Sequence, residues 1–257
     1  MARIFITGSA DGLGKMAAQS LVAAGHQVVL HARSRARAEQ ALAGVPGAET
    51  TVVGDFASLE QIRGVARQVN KLGRFDAVIH NAAVGSREPA RIVTEDGLSH
   101  LFVINTLAPY LLTALIDRPA RLVYLSSGLH RSGDASLNDL NWERRRWQAQ
   151  QAYSDSKLHD ALLAAAVARR WPEVRSNAVE PGWVATRMGG PTAPDDLAAG
   201  SQTQAWLAVS DDPGALTSGQ YFYHQAIRAP APAVNDIEVQ EHLLEACGRI
   251  ANLPFPS

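Results

Sequence analysis

The sequence predicts an α/β fold, a doubly wound parallel sheet of about seven strands with helices on both faces, built as a single domain. Three observations carry this. Strand-length apolar runs alternate with helix-length amphipathic stretches along most of the chain. A glycine-rich turn follows the very first run. A chain of 257 residues, 46% hydrophobic and 19% charged, suffices for one large core. Strands separated by helices pair in parallel through right-handed crossovers.

The first run, Ile4 to Ile6 in ARIFITG, reads as a buried strand ending at a glycine turn. A helix follows from Leu13 to Ala24, with Ala17, Ala18, Leu21 and Val22 on one side and Gly25 as its C-cap. The strand QVVLHA completes a first βαβ unit. Next come a helix near Ala36 to Leu42, a strand at Thr50 to Val53, a helix at Leu59 to Leu72 and a strand at Phe75 to His80. A long helix from about Gly97 to Ile116 leads to the strand RLVYLSS, then to a helix from about Ala152 to Arg170 and a strand at Val174 to Val179. The Pro-rich segment Arg228 to Asp236 reads as a surface loop before a last amphipathic helix, about 236–251, that carries Val239, Leu243, Leu244 and Ile250.

Charge and cysteine content narrow the function classes. Basic and acidic residues nearly cancel, 24 against 25, so no net field draws the chain to nucleic acid or an anionic membrane. The run Arg144-Arg145-Arg146 between Trp142 and Trp147 reads as a solvated helix face rather than a nucleic-acid site. One cysteine, Cys247, allows no internal disulfide. With no Cys/His cluster at zinc spacing and no charged-then-apolar leader, the expectation is a cytoplasmic protein without a structural metal. No apolar run approaches the roughly 18 residues of a membrane span. Lysine is scarce: Lys15, Lys71 and Lys157 are the only three.

Between the first strand and first helix lies Thr7-Gly8-Ser9-Ala10-Asp11-Gly12-Leu13-Gly14. Glycines permit a tight turn and close approach to a pyrophosphate, and the helix start beyond them offers free N–H groups and a positive dipole end. This placement points to a dinucleotide. An acidic residue closing the second strand would bind a ribose 2′-hydroxyl and repel a 2′-phosphate. Here His31, Ala32, Arg33, Ser34 and Arg35 stand there instead, so NADP(H) is the preferred cofactor and NAD(H) the alternative.

Tyr153 and Lys157, four positions apart in a helical stretch, project from one face. A free phenol is a poor acid or base at neutral pH, and a neighbouring cation favours its ionised form and brings it into working range. TGSADGLG after the first strand, Asn81-Ala82-Ala83 after the fourth, Ser126-Ser127 after the fifth, Tyr153 with Lys157, and Pro181-Gly182 after the sixth together resemble the short-chain dehydrogenases/reductases. The resemblance runs from Arg3 to about Phe222. TEDGLSHLFVINTLAPYLLT, RLVYLSSGLH and the long gap from Ser127 to Tyr153 are most similar to the branch with retinol dehydrogenases and protochlorophyllide reductases.

That resemblance implies roles. Tyr153 would be the general acid in carbonyl reduction or the base in alcohol oxidation. Lys157 would hold the nicotinamide ribose, Ser127 would hydrogen-bond the reacting oxygen in preference to Ser126, and Asn105 would hold a relay water. The cofactor would meet Thr7, Gly8, Ser9, Asp11, Gly12, Leu13 and Gly14, then Arg33, Asp55, Phe56, Asn81, Ala82 and Ala83. Tyr153, Lys157, Pro181, Gly182, Val184 and Thr186 would complete its site. His80, Ala83 and Glu180 depart from the usual wording of these motifs. The segments Gly128 to Gln151 and Trp183 to Asp196 would wall a substrate pocket, with Trp183 and Met188 as apolar lining. The expected substrate is a small carbonyl or alcohol compound, and the expected assembly a homodimer or homotetramer through the helices of Asn105 and Tyr153. The rival reading is a noncatalytic NADP(H)-binding sensor on the same fold.

Overall fold

Six strand-length runs become strands, and the structure, a computed structural model, describes residues 1–257. β1 is Arg3–Ile6, β2 Gln27–Ala32, β3 Thr50–Val53, β4 Ala77–His80, β5 Arg121–Leu125 and β6 Arg175–Glu180. β7, Tyr221–Tyr223, and β8, Ala226–Arg228, follow in the last quarter. The sheet order is β3-β2-β1-β4-β5-β6-β7-β8. The first seven strands pair in parallel, from Arg3 opposite Gln27 to Glu180 opposite Tyr223. β8 is an addition to the expected seven and runs antiparallel to β7. Its hairpin turn is His224-Gln225, with φ of 47° and 63°. Both residues occupy the left-handed conformation of a hairpin turn without the Asn-Gly wording that announces one, which hid it in the sequence.

Helices cover both faces. α1 (Gly12–Ala23), α2 (Arg35–Gly44) and α7 (Leu197–Val209) back one face, where Ala17, Ala18, Leu21, Ala41, Leu207 and Ala208 meet Ile4, Ile6, Leu30 and Ile79. On the other face α3 (Leu59–Lys71) buries Ile62, Val65, Ala66 and Val69, an apolar stripe at helical spacing. Beside it lie α4 (His100–Phe102), α5 (Ala108–Leu115), α6 (Ala149–Arg170) and α8 (Ile237–Ile250). α7 escaped the sequence reading because its buried side includes Ser201, Thr203 and Gln204, so no apolar stripe marks it.

The long helix expected from Gly97 begins at His100, because Val93 and Ser99 are held in an antiparallel bridge. Between α4 and α5 the chain forms a π-helical segment, Val103–Leu107, in which the Ala108 N–H reaches the Val103 carbonyl. Pro109 is the local cause: it has no N–H for the Asn105 carbonyl, so the ladder slips at this point. Asn105 therefore sits in the π-helical stretch, beside the point where the ladder slips.

The triple-arginine run lies in irregular chain, not on a helix as expected, and its residues differ in environment: Arg144 and Arg146 are exposed while Arg145 is half-buried. The helices of Asn105 and Tyr153 present no free apolar face. Tyr110, Leu111 and Leu112 of α5 and most of α6 from Ala152 to Val167 are buried inside the chain. The C-terminal tail completes this cover: Phe255 stacks on Trp171 at 5.0 Å, and the Tyr110 hydroxyl donates to the Leu253 carbonyl at 2.8 Å.

Candidate active site

The expected site residues gather at the carboxyl ends of β1, β4, β5 and β6, around the point where the strand order reverses between β1 and β4. The glycine loop is locked from below. Thr7 is buried; its hydroxyl accepts from the N–H groups of Asn81 at 2.9 Å and Ala82 at 3.0 Å. Asn81 returns the contact, its amide donating to the carbonyls of Thr7 at 3.0 Å and Gly8 at 3.1 Å. Gly8 has φ of 63°, and a Cβ there would lie 2.7 Å from the Ala82 Cα, so no other residue fits. A Cβ on Gly14 would collide with the Asn81 amide. β1 and β4 thus press their loops together, and the glycines are the surfaces of contact.

His31, to which the sequence assigned no role, is the second lock. Its Nδ1 accepts from the Gly8 N–H at 3.0 Å and its Nε2–H donates to the Gly54 carbonyl at 2.9 Å, which specifies the neutral tautomer. Burial lowers its pKa to about 4, against the opposing pull of the Gly54 carbonyl and Asp55. The ring stacks on Phe56 at 4.2 Å. Phe56 is correspondingly buried, so its backbone rather than its side chain is left to face a ligand. Ser9 is buried too, its hydroxyl donating to the Ile6 carbonyl and accepting from the His31 N–H. No single-residue pattern announces such a clamp.

What remains open fits a dinucleotide. Asp11 caps α1 by accepting from the Gly12 N–H, while the N–H groups of Leu13 and Gly14 in the same first turn have no protein acceptor. Arg33 is exposed and pairs with no acid. Arg37, which the sequence reading passed over, reaches Asp11 at 3.5 Å beside it. Asp55 is half-buried and turns its carboxylate back to the Ala57 N–H at 3.0 Å, next to a cleft of about 280 Å³ between Asp55–Gln61 and Ile92–His100. Ala83 is half-buried at the loop after β4.

On the other side of the switch point, Tyr153 and Lys157 share one face of α6, with the ammonium 5.7 Å from the phenol ring centroid. The Tyr153 hydroxyl is 3.9 Å from the Met188 sulfur. Met188 is 40% and Trp183 58% exposed, so both rim the site rather than belonging to the core. Lys157 is buried and donates to the Leu125 carbonyl at 2.7 Å and to Asp160 at 2.8 Å. Asn105 is pinned through its side chain: Oδ1 accepts from the Val84 N–H at 2.8 Å, and Nδ2 donates to the Val84 carbonyl and to Ser156 Oγ, both at 3.0 Å. Ser127 caps the short helix Gly128–Ser132, accepting from the Leu129 N–H at 3.3 Å.

The segment after β6 closes over the loop after β1. Gly182 has φ of 84° and packs on Asp195, while a Cβ on Gly12 would lie 3.8 Å from Thr186. Pro181 is half-buried, and Val184 is buried by its bridge to Asp195, which removes its side chain from the expected cofactor surface. Glu180 meets the Tyr221 hydroxyl at 3.2 Å and lies against Gly128. His80 points into the core, stacked on Tyr124 at 4.7 Å and 3.1 Å from Thr113 Oγ1, and so does not touch the site.

Comparison with known proteins decides the lineage. A family model described as enoyl-(acyl carrier protein) reductase matches residues 8–214. The chain belongs to the short-chain dehydrogenase/reductase family. This member is 39% identical to a short-chain dehydrogenase from Penicillium rubens, with both proteins covered over 100% of their length. It is 42% identical to an uncharacterized oxidoreductase from Emericella nidulans, over 100% of this chain and 99% of that one. Human retinol dehydrogenase 13 is 32% identical over 99% of this chain and 86% of its own. A solved structure of an uncharacterised protein from Mycobacterium paratuberculosis superimposes with a TM-score of 0.87 at 25% identity, covering 100% of this chain and 96% of that one. The protein is accordingly an oxidoreductase acting on small molecules, and none of its helices is long and apolar enough to cross a membrane.

Proposed function

We propose that the protein transfers hydride between NADP(H) and a carbonyl or alcohol carbon, with Tyr153, Lys157, Ser127 and Asn105 as its proton-handling set. The carrying observation is Lys157 set beside Tyr153 on one face of α6, with Asn105 bonded to Ser156 of the same helix, in a fold whose glycine loop leaves first-turn N–H groups free. Bound nicotinamide supplies or accepts the hydride. Tyr153 donates the proton to the substrate oxygen during reduction or removes it during oxidation. Ser127 orients that oxygen, since its hydroxyl proton is uncommitted. Lys157 has three N–H donors and spends two on Leu125 and Asp160, leaving one for the ribose. The place of Asn105 in the π-helical segment, with its side chain bonded to Ser156 of α6, supports its part in a water relay.

The cation at the end of β2 supports the phosphorylated cofactor: Arg33 is exposed, Arg37 stands close by, and no carboxylate closes the strand. The free, buried Cys247 supports a cytoplasmic setting. A panel of aldehydes, ketones, quinones and enones with NADPH and NADH tests the reading. Tyr153→Phe should lower turnover about a thousandfold and leave NADPH affinity within about threefold. Retained turnover would sink the mechanism. NADPH binding without turnover of any substrate would favour the sensor.

A further inference from the structure

A buried carboxylate outside the expected set stands against Lys157. Asp160 is three positions further along α6, and the two side chains are 4% and 3% exposed. An isolated ammonium at such depth sheds its proton rather than pay for desolvation, unless a partner compensates. The Leu125 carbonyl offers a hydrogen bond but no net charge. We infer that Asp160 is a positioning residue: its carboxylate keeps the Lys157 ammonium charged and turned beneath β5, with one N–H left for the cofactor ribose. The ribose part of this rests on the function proposed above, and the charge part does not.

The surroundings contain no substitute. The charged or ionisable groups acting on Lys157 are Asp160 and Tyr153, both on α6. From β5, Tyr124 faces the pair, and burial raises its phenol above the usual range, with the Asp160 charge adding to the effect. From β4, His80 stacks behind Tyr124 and is kept neutral by burial, which lowers its pKa to about 3. From α5 comes only the neutral Thr113, 2.7 Å from Tyr124. Past the end of β5, Ser126 donates to the Lys157 backbone carbonyl at 2.7 Å and fixes the helix turn, not the charge. Burial alone would lower the Lys157 value, yet Asp160 and then Tyr153 hold it above the ordinary lysine range. Burial pushes the Asp160 carboxyl up to about 6 while Lys157 pulls it down, so the pair is ionised at neutral pH.

With only three lysines in the chain, ¹³C labelling at lysine Cε resolves Lys157 directly. The wild-type signal should keep its ammonium position to pH 10. In Asp160→Asn it should titrate at least one unit lower, a tenfold loss of proton affinity, and Asp160→Glu should restore it. In turnover, Asp160→Asn should keep the KM for NADPH within about threefold at pH 7, where the lysine is still charged, and lose kcat progressively above it. An unchanged lysine titration in folded Asp160→Asn overturns the inference, even in an active enzyme. Absence of turnover in the wild type defeats the proposed function and leaves the titration arm to decide on Asp160. Should Asp160→Asn not fold, the neutral pair Lys157→Met with Asp160→Leu must recover folding. Failure to recover it overturns the inference.

Discussion

Ser126 and Ser127 are adjacent in sequence and chemically interchangeable until the fold separates them. Ser126 is buried and spends its hydroxyl proton on the Lys157 carbonyl; Ser127, half-buried, keeps its own. Extended backbone sends neighbouring side chains to opposite sides, and the structure accordingly separates the two serines in the way the family resemblance prefers. Arg33 shows the reverse case, because its position after a strand that ends without a carboxylate already states its chemistry. Arg33→Ala should weaken NADPH binding by about one to two decades and leave NADH within about threefold, as read by cofactor fluorescence titration. Equal losses for the two would remove the 2′-phosphate contact. Phe56, Ser9 and Val184 were legible as neighbours of the site but not as buried, since sequence order does not tell which way a side chain turns.

At the scale of elements, the insertion from Gly128 to Gln151 gains its shape from one residue of a run that looks uniform. Arg145 stacks on Trp142 at 3.9 Å and reaches Asp155 at 2.8 Å and Asp134 at 3.2 Å. Trp142 itself has φ of 54°, a left-handed conformation that its contacts with Arg145 and Trp147 maintain. Arg145→Ala would leave the buried Asp155 without its cation, costing about 2 kcal/mol after allowance for the partial exposure of the arginine. Arg144→Ala and Arg146→Ala should be near neutral. Urea unfolding of the three variants checks this, and equal effects would refute the assignment. Periodicity showed where α3 and α8 lie; it was silent on α7, whose buried face mixes Ser201, Thr203 and Gln204 with Ala205, Leu207 and Ala208.

At the scale of the molecule, four buried histidines make stability depend on pH, and burial lowers the pKa of each, His130 among them. Burial lowers His31 and His159 to about 4 and His80 to about 3, from 6.5 when unfolded. Below pH 6.5 each takes up a proton unfolded that it refuses folded, so stability is complete above that value and is lost as pH falls toward 4. Asp160, near 6 when folded, binds a proton in the native state as pH falls below that value and offsets one of the histidines. Each proton by which the unfolded chain exceeds the native state lowers stability by about 1.4 kcal/mol per pH unit between pH 6 and 4. Urea midpoints across that range test it; a flat profile would mean the histidines are solvated. The same self-burial bears on assembly, since α8 and the C-terminal tail occupy the flanks of α5 and α6.

The alternation of strands and helices, the glycine loop and the spacing of Tyr153 and Lys157 are local patterns, and the sequence by itself determined them. Strand pairing converts such patterns into a fold because parallel strands admit few crossovers. The His31 clamp, the pinning of Asn105 by Val84, the pairing of Lys157 with Asp160 and the covered faces of α5 and α6 are tertiary decisions. Each depends on which side chains reach one buried point. There the absence of water turns an ordinary polar residue into an obligatory partner.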